Sequence, residues 1–186
     1  MPIKFGTYNI RNGRNGGLEA ELRVMYQANL DMGILQETKL TNGVYTCASA
    51  GYRVVATDAP IRHRGGIAML FREGARFAVE EVRQYGTNVL RFEVVSGRRR
   101  WYIIGCYLDL DDSQTIERVV TALGDQPKGT ALVVAGDLNT NMGEVECDRR
   151  GAEISAAITE AGLEDMAAHS CQGRGVGGGK RGRGQW

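Results

Sequence analysis

The sequence predicts an α/β or α+β domain with largely antiparallel sheets, on three observations. From Tyr52 to Leu110 one short apolar strand follows another, with turn-forming Gly, Asn, Asp or Ser between most of them. Three other stretches carry apolar residues at helical spacing. Helices are interspersed among the strands but do not alternate strictly with them. At 186 residues the chain suits one domain with a substantial core.

The elements read as follows. IKFGTYNI (3–10) is the opening strand, and the Gly/Asn-rich RNGRNGG after it is a loop. In LEAELRVMYQANL (18–30), Leu18, Leu22, Met25 and Leu30 keep a helical stripe. MGILQETK (32–39) is a short apolar strand that ends in polar residues. YRVVATD, GIAMLFR, FAVEEVRQY, VLRFEVV and RRWYIIGCYLDL form the run of strands. SQTIERVVTALGDQ (113–126) is helical, with Ser113 as N-cap and Ile116, Val119, Val120 and Leu123 as its buried face. ALVVAGDLN follows as a strand, and GAEISAAITEAGLEDM (151–166) as a helix. The domain spans 1–170. Residues 171–186, CQGRGVGGGKRGRGQW, have almost no apolar content with which to order themselves, and form a basic Gly-rich tail or loop.

Composition excludes several classes. With 42% hydrophobic and 24% charged residues the chain reads as an ordinary soluble globular protein. It has neither an apolar run of membrane-spanning length nor a signal-peptide pattern, so no membrane partner is expected. Cys47, Cys106, Cys147 and Cys171 are widely separated, and His63 and His169 do not fall at zinc spacings. Reduced thiols in an intracellular protein are expected. The net charge of +1 includes Arg174, Lys180, Arg181 and Arg183; without these four the first 170 residues carry −3. The body is not a basic nucleic-acid binder by composition alone.

What carries chemistry is a repeated design at strand ends. Asn9 closes the first strand, Glu37 the second, Tyr107 and Asp109 lie at the end of YIIGCYLDL, and Asp137 and Asn139 close ALVVAGDLN. A turn explains any one of these. Four apolar strands that each deliver a carboxylate, carboxamide or phenol suit a cleft at one rim, binding a hard cation and an anionic ligand. Asp109, Asp111 and Asp112 read as acidic charge at the start of the following helix.

TYNIRNG, LQETK, RGGIAMLFR, YIIGCYLDL and VVAGDLNTN resemble, in order and approximate spacing, the endonuclease/exonuclease/phosphatase superfamily. The likeness is nearest to the apurinic/apyrimidinic-type endonuclease domain of non-LTR (LINE-type) retrotransposons, and it covers residues 3 to about 165. It implies a four-layer α/β sandwich, two mainly antiparallel sheets face to face with helices outside. It implies Mg²⁺, or Mn²⁺ in its place, as cofactor, with Glu37 as principal ligand and Asn9 beside it. Asp137 would orient or deprotonate the attacking water, while Asn139, Tyr107 and Arg64 would contact substrate phosphate. DNA would be the partner, with a reverse transcriptase domain following in a full-length element, and the location nuclear in a eukaryotic host.

One departure bears on activity. The family pattern ends in late strands and an Asp-His pair, and nothing after Asn139 matches that pair. Asp165 and His169 in DMAAHS come too early, and His63 reads as a surface-loop residue. The chain is therefore expected to be C-terminally truncated, lacking the last strands and the terminal histidine, and an inactive site stays open as one outcome. Two alternatives to a DNA-nicking endonuclease stay open: a phosphatase or phosphodiesterase on small phosphoesters, and a non-catalytic nucleic-acid-binding remnant.

Overall fold

Two parallel strand pairs, each joined through a helix, organise a fold whose other pairings are antiparallel. The computed structural model describes residues 2–47, 50–59, 65–127, 129–140 and 148–164. One sheet holds β1 (Phe5–Asn9), β2 (Met32–Gln36), β3 (Gly43–Cys47), β4 (Tyr52–Ala56) and β5 (Ile67–Arg72), in the order β1-β2-β5-β4-β3. The other holds β6 (Ala78–Gln84), β7 (Val89–Ser96), β8 (Arg99–Tyr107) and β9 (Ala131–Asp137), in sequence order. Parallel pairing needs a long crossover. Helix α1 (Gly17–Gln27) supplies it between β1 and β2, and α2 (Thr115–Gly124) between β8 and β9. Helix α3 (Arg149–Glu160) follows β9.

The strand period of two sorts the apolar side chains into layers. Ile34 faces the other sheet and its neighbour Leu35 faces α1. Between the sheets, Met32, Ile34, Ile67 and Met69 meet Leu90, Phe92, Val94 and Ile103. Outside the first sheet, Leu22 and Met25 of α1 pack on Leu35, Tyr52, Val54 and Leu70. Outside the second, Val119, Ala122 and Leu123 of α2 and Ile154 of α3 cover Val89, Ile104, Cys106 and Leu108. The result is the expected α/β sandwich, helix–sheet–sheet–helix. Among the described residues, no helix is long and apolar enough to cross a membrane.

Four local expectations are corrected. Strand β3 lies in a stretch not read as a strand. Its half-buried pattern gives Gly43, Tyr45 and Cys47 only partial burial, so the sequence lacks a clear apolar stripe there. Helix α2 begins at Thr115 with Gln114 as N-cap, and Ser113 does not cap it. Asp112 serves the helix start instead: Oδ1 accepts from Gln114 N at 3.1 Å, and Oδ2 accepts from Arg118 Nη1 at 2.6 Å. Val120 is 47% exposed, because the buried arc runs through Thr115, Val119, Ala122 and Leu123. Helix α3 starts two residues earlier than the pattern indicates, where Asp148 Oδ1 accepts from Gly151 N at 2.7 Å. The division at residue 170 and the tail 171–186 lie outside the described residues.

Candidate active site

Parallel pairing places strand ends side by side, and the site is built from that fact. Asn9 is in register with Gln36, so Asn9 and Glu37 leave the first sheet at one rim. Tyr107 is in register with Asp137, so these two leave the second sheet together. The sheets face each other with β1 near β9, and the two pairs meet. Asn9 Nδ2 donates to Glu37 Oε1 at 2.7 Å and to Asp137 Oδ2 at 3.1 Å. One amide thus joins two carboxylates across the sheets. Its Oδ1 accepts from Arg11 N at 3.0 Å, which fixes the amide's orientation.

The surrounding groups hold this arrangement. Asp137 Oδ1 accepts from Asn139 N at 3.1 Å, and Asn139 Nδ2 donates to Leu108 O at 3.2 Å. Beneath Asn9, the buried Gln36 donates from Nε2 to Thr7 Oγ1 at 2.5 Å. Arg11, Glu37, Lys39 and Asn139 all have positive φ, between 43° and 58°. Non-glycine residues adopt this left-handed conformation at a cost, and they concentrate where a side chain must be aimed. Here the conformation turns Glu37 and Asn139 out of the strand alternation as the chain leaves the sheet.

Charge tunes one group clearly. Burial, then the carboxylates of Glu37, Asp109 and Asp137 and a hydrogen bond to Glu37, push the Tyr107 phenol up to about 12. Tyr107 is therefore a neutral hydroxyl donor at physiological pH. Because its folded value lies above the ordinary 10, the stability it contributes is full below pH 10. That contribution is lost as pH rises through 12. Alkaline spectrophotometric titration of the metal-free protein is expected to show a late-ionising phenol that is missing in Tyr107→Phe. Behind the site, full burial, with Asp137 adding to it, pushes the Cys106 thiol up to about 12, so it is no nucleophile.

Of the residues proposed from sequence, Asn9, Glu37, Tyr107, Asp137 and Asn139 converge here. Asp109 lies near enough to raise Tyr107, and its Oδ1 accepts from Asp111 N at 3.1 Å. Arg64, His63, Asp165 and His169 fall outside the described residues. Sequence reasoning passed over Gln36 and Asn88, both buried polar residues that support the rim. Gln36 could have been noticed as a polar side chain next to an apolar strand core. Asn88, in YGTN, reads only as a turn former.

The donor set suits a hard divalent cation. Glu37 and Asp137 present carboxylate oxygens around one amide nitrogen, and oxygen ligands match Mg²⁺ or Mn²⁺. Among the described residues, no group of three or more acidic, histidine or cysteine side chains is arranged to hold a metal ion together; the carboxylates that Asn9 joins at this rim are Glu37 and Asp137.

Two facing sheets sheathed in helices thus carry an acidic and amide-lined rim where the parallel strands end. The sequence model of the Endonuclease/Exonuclease/phosphatase family matches residues 6–185, and the chain belongs to that family. Its members hydrolyse phosphodiester bonds and are generally dependent on divalent metals. Solved structures agree in fold. The endonuclease domain of TRAS1, a telomere-specific non-LTR retrotransposon, is 19% identical over 87% of this chain and 71% of its own, with a TM-score of 0.67. An AP endonuclease from Archaeoglobus fulgidus is 18% identical over 86% and 70%, with a TM-score of 0.63. A variant of the 3′ phosphatase NExo from Neisseria, bound to product DNA hairpin, is 16% identical over 86% and 71%, with a TM-score of 0.61. No curated protein matches.

Proposed function

We propose that this chain is a Mg²⁺-dependent endonuclease domain that nicks DNA, from a retrotransposon polyprotein in which a reverse transcriptase follows it. The observation that carries the reading is the Asn9 amide joining Glu37 to Asp137, since it assembles one anionic rim from both sheets. The likeness to the TRAS1 endonuclease domain and to a phosphatase bound to a DNA hairpin favours DNA as substrate. In a eukaryotic host such a domain acts in the nucleus.

Glu37 is the principal metal ligand. Asn9 keeps the second lone pair of Oδ1 for the same ion while its nitrogen fixes both carboxylates. When bound, Mg²⁺ supplies positive charge to the phosphate oxygens. Asp137, held by Asn9 and by Asn139 N, orients the attacking water and takes its proton. Tyr107 donates to a phosphate oxygen as a neutral phenol. Asn139 spends one amide hydrogen on Leu108 O and keeps the other for phosphate. Neither adds negative charge beside the anion. Arg64 completes the substrate contacts.

Supercoiled plasmid is expected to become open-circular with Mg²⁺, to remain intact with EDTA, and to remain intact with Glu37→Ala. Release of a 3′-terminal phosphate without nicking would instead make the chain a phosphomonoesterase, a reading the NExo likeness also supports. Folded protein with neither activity, retaining metal-independent DNA binding, would overturn the enzyme reading in favour of a binding remnant.

A further inference from the structure

The first turn of α3 is bonded to both chain segments that leave the second sheet at the rim. Arg150 Nη2 donates to Asp109 O at 2.8 Å, in the turn that follows β8. Asp148, the N-cap of the helix, accepts at Oδ1 from Thr140 Oγ1 at 2.5 Å, just after β9. Next to Thr140 stands Asn139, whose Nδ2 donates to Leu108 O at 3.2 Å. The chain itself joins Asn139 to Thr140, Asp148 to Arg150, and Asp109 to Leu108. These six residues form a closed ring, and each of its non-covalent links is a side-chain hydrogen bond.

We propose that Arg150 is a positioning residue: it holds the turn after β8 so that Leu108 O keeps the Asn139 amide in place. The inference rests on reading Asn139 as a site residue. Satisfying a carbonyl does not explain the reach of this arginine. Asp109 O already accepts from Asp112 N at 3.2 Å, which closes the turn from within. The guanidinium adds a tie from outside, from a residue 41 positions further along the chain. Its neighbour Arg149 shows the ordinary alternative for a helix arginine, since its Nε pairs with Glu153 in the same helix at 3.0 Å. Arg150 is half-buried and leaves its helix instead. The tie has a firm base, because Ile154 of α3 is buried in one cluster with Leu108. Asn139 also needs holding. Its φ is 43°, and a non-glycine residue keeps such a conformation only where its surroundings enforce it.

The test uses the full chain labelled with ¹⁵N and follows the side-chain NH₂ resonances of Asn139, assigned by their loss in Asn139→Asp. Arg150→Met removes the donor and keeps an unbranched stem, whereas Arg150→Lys restores a single donor. In Arg150→Met the Asn139 pair is expected to move toward the position of a free asparagine amide, and in Arg150→Lys to move back. Arg149→Met removes the same charge from the same turn and is expected to leave the pair unmoved. The kcat for plasmid nicking should follow, falling roughly 10- to 100-fold in Arg150→Met and recovering in part in Arg150→Lys. An unmoved pair in folded Arg150→Met overturns the proposal. So does an equal displacement in Arg149→Met, which would make charge the cause. If the pair moves while kcat holds, the role of Asn139 falls and the inference with it. If the pair moves but the parent never nicks, Arg150 keeps its hold on Asn139 and the endonuclease reading falls. Should Arg150→Met fail to fold, Thr140→Val opens the ring at its opposite side and must displace the same pair. An unmoved pair there overturns the ring.

Discussion

Asp137→Asn is expected to lower the rate of Mg²⁺-dependent plasmid nicking by about 10²–10⁴-fold, the range for loss of a positioned acid-base group, with the fold retained. The two side chains have nearly the same shape, so core packing is undisturbed. Hydrogen bonding is not. Both carboxylate oxygens of Asp137 receive donors, Oδ2 from Asn9 Nδ2 at 3.1 Å and Oδ1 from Asn139 N at 3.1 Å. An amide offers one oxygen and one NH₂, so one donor must face another donor. The variant therefore loses the base and loosens the clip between the sheets. Single-turnover nicking at saturating DNA separates chemistry from binding, and a fall confined to binding would refute the assignment.

The strand ends were legible for a simple reason. Apolar runs such as ILQ and LVVAG announce a strand, and an acid or amide at the end of one is visible without knowing its neighbours. Glu37 and Asp137 come together across 100 residues of chain because two parallel pairings, β1 with β2 and β8 with β9, bring four ends to one rim. That convergence is a property of register, and register is not local. Sequence could name the residues but could not show that Asn9 spends its amide on both carboxylates. Asn88 was hidden for the same reason, since its partners Gly66 and Tyr107 belong to different sheets. At α2 the error was smaller in scale. Asp112 and Ser113 are both competent near a helix start, and the choice of Asp112 depends on Arg118, a turn and a half further on. Val120 was misplaced by the same one-residue rotation. Apolar periodicity locates a buried face only to within a residue, and the position of α3 decides which side is covered.

Gly136→Ala should be among the most damaging single-methyl changes available to this chain. Its φ is 150°, a conformation that side-chain-bearing residues rarely adopt. More severe is the space. A Cβ at Gly136 would lie 1.8 Å from Cys106 O, 2.8 Å from Cys106 C and 3.0 Å from Cys106 N. These are backbone atoms of the paired strand, so no rotamer change relieves the contact, and β9 must leave β8 one residue before Asp137. Backbone strain and overpacking each cost about 1–3 kcal/mol, which together make roughly 2–6 kcal/mol. That is a large share of the roughly 5–15 kcal/mol that holds a typical domain folded. Gly97→Ala is the matched control: its φ is also positive, at 60°, but nothing lies within 4 Å of the added methyl. Urea unfolding at constant m-value should therefore place Gly97→Ala modestly below the parent, by the strain of its positive φ alone, and Gly136→Ala far below both. The nicking rate of the folded fraction of Gly136→Ala should fall too, because Asp137 moves with the strand and gives up Asn9. Equal midpoints for the two variants would mean that β9 does not approach β8 as closely as the site requires. The placement of Asp137 opposite Glu37 would fall with it.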